Sequence, residues 1–294
     1  MRKVLLLAYL LAVAMVAACG SDSEQKAEEE PGYAGGTAND TGPRIAVTCG
    51  YSLTNEADMI FKPTTKPPAH QHDIYGPERF GNELEPADLL GMGTTCKQVD
   101  EGDHSAWWRP AATWGGQPVR PATKLVIYLD VTKGISAEKI RPFPVGFEDV
   151  SRRPTFRCNE GEWVASPPNR CAVPQGQEKP ALHVRLVYDQ CLNPDDKSVE
   201  ANTARVRNGA CPSTHPVLLP AIQSTGTYRL PKVEGPLRVA GTTGDSQSPS
   251  TMHEDFVNGW DQAKLKELVG LCLRQTGQQE RRPERCRTSD RDVG

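Results

Sequence analysis

"ALHVRLVYD", residues 181 to 189, decides the fold class. Leu182, Val184, Leu186 and Tyr188 recur at every second position, the period of a half-buried strand and not of a helix. His183 and Arg185 take the alternate positions and are expected to face solvent. "RIAVTC" (Arg44 to Cys49), "KLVIYLDV" (Lys124 to Val131) and "TYRLPKV" (Thr227 to Val233) carry β-branched or alternating apolar residues of the same kind. The chain holds 25 prolines and 26 glycines, so turns are many and long helices few. One helix is expected near the end, where Asp261 can cap "QAKLKELVGLCLR" and Leu265, Leu268, Val269 and Cys272 form an apolar stripe for core packing. No internal repeat, Walker loop or dinucleotide fingerprint interrupts this pattern. The expected class is mainly β: a disulfide-braced, antiparallel β-sandwich-like domain with long loops and a C-terminal helix.

Outward from that domain, the N-terminus reads as an address. Arg2 and Lys3 precede an apolar run from Val4 to Ala18 that ends in small residues, the order of a secretory signal. That run is shorter than the roughly 20 residues a membrane span needs. Val16-Ala17-Ala18-Cys19-Gly20 resembles the lipobox of bacterial lipoproteins, which implies acylation of Cys19 and removal of residues 1–18. Two or more acyl chains give stable anchoring, so the expected location is the extracellular face of the cell membrane, with the bilayer as partner. Residues 19–44 are charged, Gly-rich and almost free of large aliphatics, the composition of a tether. Their acidic run Glu28-Glu29-Glu30 reads as a solvated spacer. A single β-rich domain is then expected over 45–274, with 275–294 a polar tail pinned by Cys286. Net charge is −3 and the basic residues are scattered, so nucleic acid is not an expected partner.

Of 9 cysteines, setting Cys19 aside leaves Cys49, Cys96, Cys158, Cys171, Cys191, Cys211, Cys272 and Cys286. An even set in an exported chain reads as a disulfide framework, and no CxxC spacing favours a zinc ribbon or a thioredoxin motif. Cys158 with Cys171 and Cys272 with Cys286 are the local pairings to expect.

The chain has 6 histidines, and three of its histidine-bearing stretches sit in loop-like surroundings: "PPAHQHDIYG" (Pro67 to Gly76), "CPSTHPV" (Cys211 to Val217) and "TMHEDFVNGWD" (Thr251 to Asp261). In extended backbone His70 and His72 point to one side, able to grip a metal through two imidazoles or to offer an acid and a base to one substrate. His253 stands two residues before Asp255. His215, fixed between Cys211 and Pro216, reads either as a site residue or as a hydrogen-bonded turn, and His104 reads as exposed. "AWWRPAATW" (Ala106 to Trp114) holds three of the 5 tryptophans and reads as a sugar-stacking platform or as core.

"DMIFKPTTKPPAHQHDIYG", "GMGTTC", "SAWWRPA", "RPFPVGF", "CPSTHPVLLPAI" and "MHEDFVNGWD" occur here in the order found in an exported family, the domain of unknown function numbered nineteen-ninety-six. The resemblance runs from Asp58 to Cys272. The family's pattern falls on His70, His72, Gly76, Trp108, Pro110, Pro142, Phe143, Gly146, Phe147, Cys211, His215, Pro216, His253, Asp255, Gly259 and Trp260. It departs at Ala69, where the family has serine, at Glu254, where it has glycine, and in "CLNPDDKS" (Cys191 to Ser198), which lacks a family histidine. No agreed activity comes with the resemblance.

Three functions fit these residues. In the first, His70, His72, His215, His253 and Asp255 form a catalytic or metal-binding cluster of a polysaccharide-active enzyme, with Trp108 and Trp260 binding substrate. Imidazoles move protons near neutrality, and as ligands they suit a divalent transition metal such as zinc or copper better than calcium. An acylated N-terminus excludes a copper site built on an N-terminal histidine. In the second, the same surface binds glycan or metal without catalysis; in the third, the histidines only tie loops together. Convergence of the rings in one hollow separates the first two from the last.

Overall fold

The computed structural model describes residues 44–62, 70–97, 102–129, 137–241, 246–274 and 286. The expected leader, Cys19, the tether up to residue 43 and the tail apart from Cys286 lie outside the described residues. All the described residues belong to one unit, Thr41–Gly294.

Strand pairing is antiparallel throughout the main sheet. Ten strands build it: β1 (Arg44–Asn55), β2 (His72–Tyr75), β3 (Cys96–Lys97), β4 (Ala106–Pro110), β5 (Thr123–Leu129), β6 (Glu148–Ser151), β7 (Pro154–Cys158), β8 (Ala181–Val187), β9 (Ala221–Arg229) and β10 (Glu254–Val257). Their order is β6-β10-β4-β2-β1-β5-β9-β8-β7, with β3 on β1. The 12-residue β1 serves both halves: Arg44–Gly50 pairs with β5, Tyr51–Asn55 pairs with β2, and the register shifts between Tyr51 and Leu53. An irregularity there bends a strand and lets one sheet fold over itself. The two ends of the order, β6 and β7, are consecutive in the chain, and the Ser151 hydroxyl donates to the Val187 carbonyl at 2.8 Å. Arg109 on β4 likewise touches Ser224 on β9, four places along the order. The sandwich-like expectation holds. A three-stranded and a four-stranded sheet stand beside this one.

The alternation in β8 does what its sequence implies: Leu182, Val184 and Leu186 are sealed in one core with Phe156 and Tyr228, and Tyr188 enters another with Trp107 and Phe256. Its opposite face is a correction. Arg185 is buried, because Trp163 from the segment that precedes β8 lies against its guanidinium at 4.1 Å, and His183 is half-buried beside Thr227. The C-terminal helix, α1 (Gln262–Leu268), runs on into a π-helical turn over Val269–Leu273. As expected, Asp261 caps it, accepting from the Lys264 N–H at 2.8 Å.

The four disulfides are Cys49–Cys96, Cys158–Cys171, Cys191–Cys211 and Cys272–Cys286, so both local pairings hold. Four such bridges belong to an oxidising compartment. No helix among the described residues is long and apolar enough to cross a membrane.

Candidate metal centre

Three neighbouring strands set out the site. On β2 and β4, His72 faces Pro110 and Ile74 faces Trp108; on β10, Asp255 faces Trp108 from the other side. Side chains two apart share a face. His72, Ile74, Trp108, Asp255 and Val257 therefore project to one side of this part of the sheet. Tyr75, Trp107, Arg109, Glu254 and Phe256 project to the other.

The first face is covered by Met59, Phe80, Leu84 and Leu89, which pack with Ile74, Trp108 and Val257. At the margin of that layer three imidazoles converge. The ring centroids of His70 and His72 are 4.3 Å apart, those of His70 and His253 5.1 Å, and those of His72 and His253 6.1 Å. One ligand nitrogen from each lies within 4.8 Å of the other two. His72 is buried, while His70 and His253 are partly open.

Hydrogen bonds fix the tautomers of two rings. Nδ1 of His72 lies 3.1 Å from the Ala57 carbonyl and Nδ1 of His253 lies 3.1 Å from the Thr251 carbonyl. A carbonyl only accepts, so each Nδ1 carries the hydrogen and each Nε2 keeps its lone pair. This is how a protein orients imidazoles that ligate a metal. Nε2 of His70 and of His72 are buried without a hydrogen-bond partner, as are both carboxylate oxygens of Asp255. Asp255 Oδ2 stands 3.5 Å from His253 Nε2. Orphaned buried acceptors are costly, and here they gather in one place.

Burial is the main influence on every titration at the centre. It lowers His70, lowers His72 well below the usual imidazole value with help from the two neighbouring rings, and pushes His253 down to about 4 against the Thr251 carbonyl. It raises Asp255 well above the carboxylate range, and the nearby Asp58 raises it further. Asp58 is itself raised by burial, opposed by the Phe61 and Ile60 N–H groups it accepts from and by the Trp108 indole. At neutral pH the three rings are therefore neutral, the form in which imidazole binds a metal.

The donor set fits a transition ion. Three imidazoles with a carboxylate and a partly open side match zinc sites that keep a free position, and imidazole equally suits copper. Zinc-bound nitrogens in a tetrahedral site lie about 3.4 Å apart. The three ligand atoms here lie within 4.8 Å of one another, so a bound ion would draw them together by up to about 1.4 Å.

The other expected site residues fall elsewhere. His215 is not in the cluster: its Nε2 donates to the Ala201 carbonyl at 2.8 Å and its Nδ1 meets the Thr214 hydroxyl at 2.9 Å, so both nitrogens are used in tying a turn. Trp108 and Trp260 are fully buried and offer no face to a glycan, because their strand and bridge positions carry them into the core. The platform reading of "AWWRPAATW" fails for the same reason, with Trp107 and Trp114 also sealed. His104 is half-buried, its Nδ1 on the Met92 carbonyl.

Most of the remaining motif residues are scaffold. Phe143 stacks on Phe147 at 5.4 Å, and both meet Phe256. Gly76 has φ of 102°, and a Cβ there would lie 2.2 Å from the Ser105 carbonyl oxygen. A family model for a domain of unknown function, DUF1996, matches residues 58–260. The chain belongs to that family. No curated protein and no solved structure matches it.

Two features went unread in the sequence. Within the DUF1996 region, Asp58 comes close enough to Asp255 to act on its titration. On the far face of β10, Glu254 accepts from Nε of the fully buried Arg109 at 2.9 Å and pairs with its Nη2, while Tyr188 donates to the Glu254 carboxylate at 3.1 Å. The departure from the family's glycine is thus half of a buried ion pair. No local pattern signals a pairing 145 residues apart.

Proposed function

We propose that this DUF1996 member is an exported lipoprotein, held at the extracellular face of the membrane through acylated Cys19, that binds a divalent transition metal on His70, His72 and His253 beside Asp255 and acts with it on polysaccharide. The observation that carries the reading is the convergence of three neutral imidazoles and two unpartnered carboxylate oxygens at one partly open spot. A bound zinc or copper ion would supply Lewis acidity or an activated water there. The chain's own part is to hold two Nε2 lone pairs in place through the Ala57 and Thr251 carbonyls and to keep a carboxyl, Asp255, next to the ligands. Burial of Trp108 and Trp260 removes them as a stacking surface for enzyme and binder alike, so substrate is held by the metal centre and its rim.

Metal analysis of the purified full chain tests the centre. Wild type is expected to retain close to one equivalent of zinc or copper after dialysis. His253→Ala and His72→Ala are expected to lose it, the partly open His253 position leaving the fold intact where the buried His72 position strains it. A wild-type chain that retains neither metal sinks the reading. Release of soluble sugar from cell-wall polysaccharides, lost in His253→Ala, is the readout for the enzyme.

A further inference from the structure

Arg152 is the residue that follows β6. In the pairing of β6 with β10, Glu254 faces Ser151, and one further step of that register sets Arg152 across from His253. Facing residues of an antiparallel pair project to the same side. Ser151 is buried and turned inward, donating to the Val187 carbonyl, so its neighbour turns outward, on the side of the histidines. The Arg152 side chain is half exposed, and its ion-pair partner among the described residues, Glu200, is 3.4 Å away with 65% of its own side chain in water. Such a pair is weak and readily exchanged for a better one.

A divalent ion on three neutral imidazoles brings two positive charges, and an ionised Asp255 cancels one. With Arg152 beside it, the rim of the loaded centre is positive. We infer that Arg152 is the anchor for an anionic group on the substrate, a uronate carboxylate or a sulfate ester, and that the glycans entering this site are acidic. Guanidinium presents paired N–H donors that match the oxygens of either group, and such charge-assisted contacts are the strong ones. The inference rests on the metal centre proposed above. It adds the substrate class.

Calorimetric titration of the full chain, loaded with zinc and in parallel with copper(II), tests both at once. The ligands are trigalacturonate, a sulfated disaccharide and neutral maltotriose, with metal content measured on the same samples. At least one acidic ligand is expected to bind about tenfold or more tightly than maltotriose, and Arg152→Gln to remove that preference with metal content unchanged. Glu200→Gln, which frees the guanidinium, is expected to strengthen binding. The acidic ligand that depends more on Arg152 identifies the group. Equal binding of acidic and neutral sugars, no sugar binding, or a preference that survives Arg152→Gln, with metal retained, overturns the inference and leaves the centre standing. A wild-type chain without metal overturns the centre, and the inference falls with it.

Discussion

His253 and Asp149 show how burial alone moves single residues in opposite directions. The imidazole of His253 is pushed down to about 4 and the carboxyl of Asp149 up to about 7, each chiefly by loss of water. An unfolded histidine titrates near 6.5, so between about 6.5 and 4 the unfolded chain binds a proton that folded His253 refuses. The stability this residue contributes is complete above 6.5 and is lost as pH falls towards 4. Asp149 has the opposite sign: its folded form keeps a proton that the unfolded carboxyl releases near 4, so its contribution is lost as pH rises through 7. In chelator, the difference in unfolding free energy between wild type and His253→Gln, measured in denaturant melts, is expected to move against wild type on acidification from pH 6.5 to 4.5, by about 2 kcal/mol. For Asp149→Asn it should move against wild type on raising pH from 5 to 8. Differences that stay flat with pH would contradict both assignments. The His70–His72 pair could be read from its sequence because extended backbone repeats side chains every two residues. Asp255 could be named from its place two residues after His253, but its lack of hydrogen-bond partners could not, because that depends on the loop layer laid over Trp108.

At the scale of strands, the Arg109–Glu254 pair fastens β4 to β10 and, through Ser224, to β9. Both side chains are fully sealed, at 0% exposure. Removing one partner leaves the other charged and unpaired in the interior, whereas replacing both with apolar residues of similar volume removes the burial penalty as well. Glu254→Gln or Arg109→Met is therefore expected to cost about 3 to 5 kcal/mol in denaturant melts, and the Arg109→Met/Glu254→Leu double variant to recover most of it. A double variant as unstable as the sum of the two singles would show that the pair itself, and not its desolvation, holds these strands. Elements were legible where pattern is local. Period two marked β8, "RIAVTC" marked the first half of β1, and a single aspartate marked the start of α1. What stayed hidden was each pairing over distance, including the second half of β1, where "YSLTN" has too little apolar alternation to announce a strand that β2 completes.

For the molecule as a whole, the folded-over sheet leaves long connections that the core does not by itself fix, and the disulfides close them over unequal spans. Cys49–Cys96 joins residues 47 apart, against 13, 20 and 14 for Cys158–Cys171, Cys191–Cys211 and Cys272–Cys286. The two shortest pairings could be read from the sequence because local loops close at the least entropic cost. The two longer ones depend on where strands meet: Cys96 lies on β3 opposite Cys49 on β1, and Cys191 sits in a small sheet of its own. In the loop-closure account, a bridge over a span of about 47 residues restrains the unfolded chain by about 4 kcal/mol and one over about 13 by about 3. Cys49 is also buried in the main core, so its removal opens space there, whereas Cys158 lies at the core's edge. Both effects run the same way. Replacing Cys49 and Cys96 by alanine is therefore expected to lower the melting temperature by clearly more than replacing Cys158 and Cys171, at about 2 to 4 °C per kcal/mol for a chain of this size. Because β1 and β2 carry the strand pairing that presents His72, the first variant should also lose bound metal at a temperature where the second retains it. Equal losses, or a larger loss from the Cys158–Cys171 pair, would mean that the site's framework is held by the sheet and its buried ion pair without help from the longest bridge.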